Sequence, residues 1–286
     1  MSDRDALTSR QVPSMTLSDG IPPKPAPTAQ SRFSITGNAV ITGGAGTLGL
    51  TACNALLEHG LQGLLIVDMN PTNSESEINS LRQKFPAAKI LTATVDITDA
   101  DAVTAAFDNA ATELGSIDTL CHFAGIVGCF DALTMPPSQF RKVLDVNTTG
   151  AFICAQAAAK HMVSQGTGGS ITFIASISAH RVNFPQPQVA YNVSKTGLLM
   201  LKSSLAAEWA RYGIRVNSIS PGYMDTILNE GDGLEGHRRV WAERNPFGRM
   251  GVPHELTGAV VLLASREGGA YINGADLVVD GGGVVF

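Results

Sequence analysis

The chain has 286 residues, of which 44% are hydrophobic and 16% charged, and it carries a formal net charge of -5. Such a length and apolar content suit one α/β domain with a buried sheet. The acidic balance, without any basic cluster, argues against nucleic acid or anionic lipid as a partner. The longest apolar runs, such as Leu64 to Val67 and Val260 to Ala264, are far too short to span a bilayer, so a soluble, non-membrane protein handling a small molecule is expected.

In chain order, residues 1–34 are read as a flexible Pro-rich tail, because Pro13, Pro22, Pro23, Pro25 and Pro27 stand among Ser, Thr and Asp. That composition buries too little apolar surface to order itself. It lacks a signal peptide's apolar core, and Asp3, Asp5 and Asp19 oppose a transit peptide. Arg32 to Ile35 is a candidate for packing on a neighbouring subunit. Residues 35–286 are read as one domain, for the reasons that follow.

From residue 38 onward short β-branched runs alternate with longer helix-period segments, the pattern of βαβ units. Strands are predicted at 39–42, 64–68, 89–96, 119–123, 170–176, 215–220 and 276–279, most of them apolar on both faces as strands between two helix layers must be. Helices are predicted at 48–59, 100–114, 137–165, 189–212 and 254–265. Seven strands of this kind imply an α/β, Rossmann-type doubly wound parallel sheet, with ligands bound beyond the carboxyl ends of the strands. Residues 223–247, containing Met224, Ile227, Leu228, Leu234, Trp241 and Phe247, are read as a lid over that crevice.

The four cysteines, Cys53, Cys121, Cys129 and Cys154, form no C-x-x-C pair and each adjoins an apolar segment, which points to reduced thiols in a cytoplasmic protein. The six histidines lack metal-ligand spacing, so no metal is expected.

The first strand runs into Val40-Ile-Thr-Gly-Gly-Ala-Gly-Thr-Leu-Gly49, where a helix opens. Gly44, Gly46 and Gly49 spell G-x-G-x-x-G; Thr42, Gly43 and Gly49 spell most of T-G-x-x-x-G-x-G, with Thr47 at the remaining glycine. In either spelling backbone N–H groups, including those about Thr47 and Leu48, can approach a pyrophosphate at the positive end of the helix. Asp68 ends the second strand, 19 residues past Gly49, near the spacing of an acid that bonds the adenosine ribose hydroxyls. A carboxylate there repels the 2′-phosphate of NADP, and Met69, Asn70 and Pro71 bring no compensating cation, so NAD is favoured. The lesser alternative is that Asp68 is a strand-end cap with no ligand.

Further on, Tyr191 and Lys195 stand four residues apart on a predicted helix, which puts both on one face. A nearby ammonium and a nicotinamide cation would favour the ionised phenol and let Tyr191 exchange a proton with a substrate oxygen. Upstream, a buried strand ends in Ile174-Ala-Ser-Ile-Ser178, offering a hydroxyl to the same oxygen. Asn147 lies in a predicted helix although its side chain disfavours one.

Together these elements resemble the short-chain dehydrogenase/reductase superfamily: TGGAGTLG, Asp68, Asp96-Ile97, Phe123-Ala124-Gly125, Asn147, Ser176, Tyr191-x-x-x-Lys195 and Ser220-Pro221-Gly222, in that order. The resemblance resolves the glycine turn in favour of T-G-x-x-x-G-x-G, with Gly43 and Gly49 as anchors and Thr47 as a departure. It implies that Tyr191 is the general acid/base, and that Lys195 holds the nicotinamide ribose and lowers the tyrosine pKa. It further implies that Ser176 positions the substrate oxygen and that Asn147 holds a water leading from Lys195 to solvent. Asp96 and Ile97 would face the adenine, Ala124 and Gly125 would lie near the ribose, and Pro221, Gly222 and Thr226 would flank the nicotinamide. The family's N-N-A-G is His122-Phe123-Ala124-Gly125 here, which removes an expected support of the fourth strand. Ser178, 13 residues before Tyr191, competes with Ser176 for the catalytic role.

The segment from Ser176 to Asn192, with PGYMDT, NPFGRMG and YINGADLVVDGG, is similar to fungal polyol and ketose reductases, a group of mannitol, arabinitol and sorbose enzymes in which the first serine is catalytic. The resemblance thus implies an NAD-dependent oxidoreductase interconverting a polyol and its ketose. His180, Asn183 and Gln188 would line a polar pocket for hydroxyl groups, unless they only stabilise their own loop. The family's habit also implies a homotetramer. Two other functions compete: a ketoreductase of a bulkier secondary metabolite, possibly with NADP, to which the apolar lid is suited, and a non-catalytic NAD-binding protein.

Overall fold

Uninterrupted aliphatic runs become the strands of this fold because both faces of a central parallel strand are covered by helices. The computed structural model describes residues 15–18, 20–23, 26–226 and 233–285. Among them, β1 (Asn38–Thr42), β2 (Gly63–Asp68), β3 (Lys89–Thr94), β4 (Thr119–His122), β5 (Gly169–Ile174), β6 (Ile214–Pro221) and β7 (Asp276–Val279) form one sheet ordered β3-β2-β1-β4-β5-β6-β7. Every pairing is parallel, with Val40 between Leu65 and Leu120. This is the seven-stranded, doubly wound sheet that the alternation of segments predicts.

The helices are α1 (Thr47–Glu58), α2 (Glu75–Lys84), α3 (Ala100–Leu114), α4 (Pro137–Leu144), α5 (Gly150–Gln165), α6 (Val189–Trp209), α7 (Glu235–Glu243) and α8 (Thr257–Ala264). Alternate strand residues feed two cores, as a period of two requires. Val40, Leu65 and Leu120 join Phe107 and Met162 on one side of the sheet, while Ile41, Leu64 and Ile66 join Leu56 and Val260 on the other. The strand order reverses between β1 and β4, so the loops leaving β1, β4, β5 and β6 open at one edge, where a crevice forms.

One detail differs from the sequence reading. The helix expected over 137–165 is interrupted by a π-helical turn at Asp145–Thr149, a wider turn of the kind often found where a side chain must be re-aimed. The segment Arg32 to Ile35 contacts its own chain: the Arg32 carbonyl accepts from Ser265 Oγ at 2.8 Å, and the Ile35 N–H donates to the His59 carbonyl at 2.8 Å. Ile227 and Leu228 of the expected lid lie outside the described residues. Among those residues no helix is long and apolar enough to cross a membrane, and no cluster of His, Cys, Asp and Glu could hold a metal.

Candidate active site

The turn between β1 and α1 is shaped by glycines that nothing larger could replace. Gly43 has φ of +63°, and a Cβ on it would lie 2.6 Å from the Ala124 nitrogen; one on Gly49 would lie 2.3 Å from the Gly43 carbonyl oxygen. The turn therefore packs against the loop leaving β4 and against the first turn of α1. Gly46 caps that helix with no side-chain bond, and the first turn has no acidic residue. The amide groups of Thr47, Leu48 and Gly49 thus lack intrahelical acceptors and form an open, positively polarised end suited to phosphate. Thr47 is the first residue of α1 and partly exposed.

Asp68 ends β2 beside this turn. Its Oδ2 accepts from the Ala45 N–H at 3.2 Å and its Oδ1 from the Asn70 N–H at 3.2 Å, so the carboxylate does brace the turn as a cap. Both oxygens keep lone pairs for further donors. Asp96, expected near the adenine, is exposed and accepts from the Thr98 N–H and hydroxyl at 2.9 and 2.7 Å, bonds that hold its carboxyl below the usual range. Ile97 beside it is buried against Gly150. A tight glycine turn, an uncapped helix start and a carboxylate at the end of β2 fit a dinucleotide.

At the carboxyl ends of β4, β5 and β6 the remaining predicted residues meet. The π turn presents Asn147, fully buried: Oδ1 accepts from the Ile126 N–H at 2.8 Å, and Nδ2 donates to the Ile126 carbonyl at 2.9 Å and to Ser194 Oγ at 3.0 Å. Ser194 in turn donates to the Tyr191 carbonyl at 2.7 Å, joining Asn147 to the helix that carries Tyr191 and Lys195. Gly125 fits between, since a Cβ on it would stand 3.2 Å from Asn147 Oδ1 and 3.6 Å from Lys195 Nζ. Ser194 follows the tyrosine by three residues, and its spacing alone gives no sign of this bridge.

Lys195 Nζ donates to the Ile174 carbonyl at 2.7 Å and stands 5.6 Å from the centre of the Tyr191 ring. Burial pulls its pKa down to about 8. Tyr191 is partly buried, and its phenol is pushed up to about 12, chiefly by desolvation and further by the Tyr223 phenol, against a lowering hydrogen bond with Ser176. The expected lowering by Lys195 is therefore not what the protein alone provides: loss of hydration dominates. Of the two serines, it is Ser176 that reaches the phenol. Ser178 supports it, accepting from Ser176 Oγ at 2.9 Å and donating its N–H to Ser176 Oγ at 3.1 Å. Pro221 and Thr226 are buried, and a Cβ on Gly222 would lie 2.8 Å from Asp280 Cβ.

The loop from β5 to α6 divides its polar residues. His180 is drawn toward β7, its Nε2 at 2.9 Å from Asp276 Oδ2 and 3.1 Å from Ser220 Oγ. Asn183 donates to the Tyr223 hydroxyl at 2.9 Å, and the buried Gln188 donates to Cys129 Sγ at 3.3 Å. The sequence reading gave Gln186 and Tyr223 no site role and placed Trp241 only in the lid; here Gln186 hydrogen-bonds both Tyr223 and Trp241. A cavity of about 240 Å³ is lined by Tyr223, Met224, Phe247 and Arg249, among others. Its Arg249 is already paired with Glu255 at 2.6 Å.

The missing asparagines of the β4 loop are replaced by a different brace. His122 is buried and its Nδ1 lies 2.7 Å from Thr42 Oγ1, tying the end of β4 to the end of β1.

The chain matches the family model described as "Enoyl-(Acyl carrier protein) reductase" over residues 43–283. It is 37% identical over 258 residues to D-arabinitol 2-dehydrogenase [ribulose-forming] of Scheffersomyces stipitis, covering 85% of this chain and 92% of that one. It is 34% identical over 266 residues to the NADP-dependent mannitol dehydrogenase of Hypocrea jecorina, covering 91% and 98%. Among solved structures, a short-chain type dehydrogenase/reductase from Mycobacterium marinum superposes with a TM-score of 0.85 at 36% identity, covering 90% of this chain and 99% of that one. With its parallel sheet and glycine turn, the chain belongs to the short-chain dehydrogenase/reductase family, enzymes that pass hydride between NAD(P) and a CH–OH group.

Proposed function

We propose that the protein interconverts a secondary alcohol of a polyol and the corresponding ketose, with Tyr191 as general acid/base and NAD as the preferred cofactor. The observation that carries this reading is the meeting of Asn147, Ser176, Tyr191 and Lys195 at the carboxyl ends of β4 and β5, beside the glycine turn. Such a set has no use in a protein that only binds nucleotide. The sugar-alcohol relatives support the polyol class.

When bound, the nicotinamide takes up or supplies the hydride. The chain's own residues handle the proton and the geometry. Ser176 holds the reacting oxygen next to the Tyr191 hydroxyl, which takes the alcohol proton during oxidation or gives its own to the carbonyl oxygen during reduction. Lys195, fixed by the Ile174 carbonyl, sets a positive charge near the phenol and offers N–H groups to the ribose. Asn147, locked by Ile126 and Ser194 inside the π turn, holds the water expected to lead from Lys195 to solvent. Gly43, Thr47, Leu48 and Gly49 receive the pyrophosphate, Asp68 the adenosine ribose, and Asp96, Ile97, Ala124 and Gly125 the adenine and its surroundings. Pro221, Gly222 and Thr226 flank the nicotinamide.

The NAD preference rests on the Asp68 carboxylate at the end of β2, which would repel the 2′-phosphate of NADP if it faces the adenosine ribose. Initial rates on a panel of sugar alcohols and ketoses, with NAD and NADP in parallel, test both parts. Wild type is expected to favour NAD, and Asp68→Ala to shift the NAD/NADP ratio of kcat/KM toward NADP by roughly tenfold or more, the scale of one removed like-charge contact. An unshifted ratio would leave Asp68 as a brace of the turn only. No turnover of any polyol, with activity on unhydroxylated ketones, would favour the bulkier-substrate reading.

We infer a homotetramer from family habit and from the apolar residues left exposed on α5 and α6, Phe152 at 38% and Met200 at 69%. Light scattering is expected to return four times the monomer mass, and Met200→Glu to reduce it; a monomeric wild type refutes the assembly.

A further inference from the structure

Tyr223, one residue beyond Gly222, has no part in the proton transfer described above, yet its phenol is held from three sides. Its oxygen accepts from Asn183 Nδ2 at 2.9 Å and from Gln186 Nε2 at 3.0 Å, and its ring stacks on Trp241 with centres 4.3 Å apart and planes within 6°. Trp241 Nε1 donates to Gln186 Oε1 at 3.2 Å. An indole N–H can only donate, so this bond fixes which end of the Gln186 amide faces Tyr223. Gln186 and Trp241 are both buried, so the indole orients the amide and the amide orients the phenol.

The hydrogens are not all used. With two N–H groups donated to it, the Tyr223 oxygen still has its own proton to give, and no acceptor for that proton is found among the described residues. Asn183 Oδ1 is buried and unpartnered. Turning the Asn183 amide over would join Oδ1 to the phenol proton but leave Nδ2 stranded instead. The first arrangement leaves both the phenol proton and Asn183 Oδ1 without a partner and the second leaves Nδ2, so neither satisfies the pair. Such a deficit is met by an oxygen from outside the protein, a solvent water or a ligand hydroxyl. The Tyr223 phenol also lies close enough to Tyr191 to raise its pKa, and Tyr223 and Asn183 share a small cavity with Ile177, the neighbour of Ser176.

We propose that the Tyr223 hydroxyl, oriented by Gln186 and Trp241, donates a hydrogen bond to the substrate hydroxyl adjacent to the carbon that exchanges hydride. The enzyme then selects α-hydroxy ketones and vicinal diols over plain ketones and alcohols. The proposal rests on the Tyr191-centred chemistry above and narrows its substrate class. Tyr223 touches substrate; Gln186 is a positioning residue.

The test compares kcat/KM for 1-hydroxy-2-butanone with that for 2-butanone, a pair differing only in the adjacent hydroxyl. Tyr223→Phe, which keeps the stacking ring, is expected to lower the hydroxyketone/ketone ratio roughly ten- to hundredfold, because a site built around a hydroxyl loses its selectivity with the partner group. Gln186→Leu is expected to lower the ratio in the same direction, whereas Tyr191→Phe depresses both substrates together. A ratio unchanged in Tyr223→Phe overturns the proposal, as does a parallel fall on both substrates, which would make Tyr223 a packing residue.

A binding arm separates this inference from the reading it rests on. The chain has two tryptophans, so in a Trp209→Phe background the fluorescence of Trp241 reports on its stacked partner. Titration with ribulose is expected to quench it, with affinity about tenfold weaker after Tyr223→Phe. Quenching and weakening without turnover would refute the Tyr191 chemistry and keep the contact; equal affinity in both proteins refutes the contact itself.

Discussion

Tyr191→Phe is expected to lower kcat by roughly 100- to 10,000-fold, the usual contribution of a positioned general acid/base, while the Kd for NAD stays within about twofold, as removal of one hydroxyl outside the pyrophosphate cradle requires. The ring, its place on α6 and the nearby Lys195 are all retained, so only the exchangeable proton is lost. Stopped-flow rates with a polyol and a fluorescence titration with NADH separate the two quantities. Turnover at the wild-type level would remove Tyr191 from the mechanism. In the protein alone the phenol sits at about 12, so it carries its proton at neutral pH and is ready to reduce a carbonyl. Oxidation instead needs the phenolate, and its rate is expected to climb with pH, steeply enough to reverse the preferred direction between neutral and alkaline buffer.

His122→Asn is expected to flatten the acid side of the stability curve. Burial, with a smaller push from Lys195, drives the His122 pKa down to about 3 from an ordinary value of 6.5. The folded value lies below the unfolded one, so below pH 6.5 the unfolded chain takes up a proton that the folded protein refuses. Stability is therefore fully present above pH 6.5 and is lost as pH falls toward 3. Between pH 6.5 and 4.5 the loss attributable to this one group is about 2–3 kcal/mol. Urea unfolding of both proteins at half-unit pH steps measures it: wild type should lose stability faster than the variant by one proton's slope across that window. Parallel curves would mean that His122 protonates in place. Its bond to Thr42 makes the same residue a brace between β1 and β4, so the variant's stability at neutral pH also reports how well an asparagine replaces that brace.

Both expectations concern residues that the sequence displays plainly, but it conveys their surroundings unequally. The strands were legible because a parallel strand between helix layers must be aliphatic on both faces, and Val40-Ile41 or Leu64 to Val67 allow little else. The glycine turn was legible because the close approaches at Gly43 and Gly49 exclude a Cβ. Tyr191 and Lys195 were legible because a helix fixes which residues share a face. Even the irregular placement of Asn147 left a trace, a poor helix former inside a helix, which the π turn explains.

Partner choice across the fold left no such trace. His180 in sequence is open between substrate lining and loop support, and Asp276, 96 positions later, appears beside it at 2.9 Å only in the fold. Gln186 and Trp241 stand 55 positions apart, and Asn183 and Tyr223 40, yet these pairs form the hydrogen-bonded group beside the reacting tyrosine. The pKa of Tyr191 belongs to the same class, since proximity of Lys195 in sequence predicts a lowering and burial in the tertiary structure produces a rise. Local conformation is set by steric rules acting over a few residues, and these the sequence alone determined: the sheet, the turn and the tyrosine–lysine pair. Hydrogen-bond partners and desolvation depend on which side chains the packed sheet brings within about 3 Å and shields from water, and only the tertiary structure decided them.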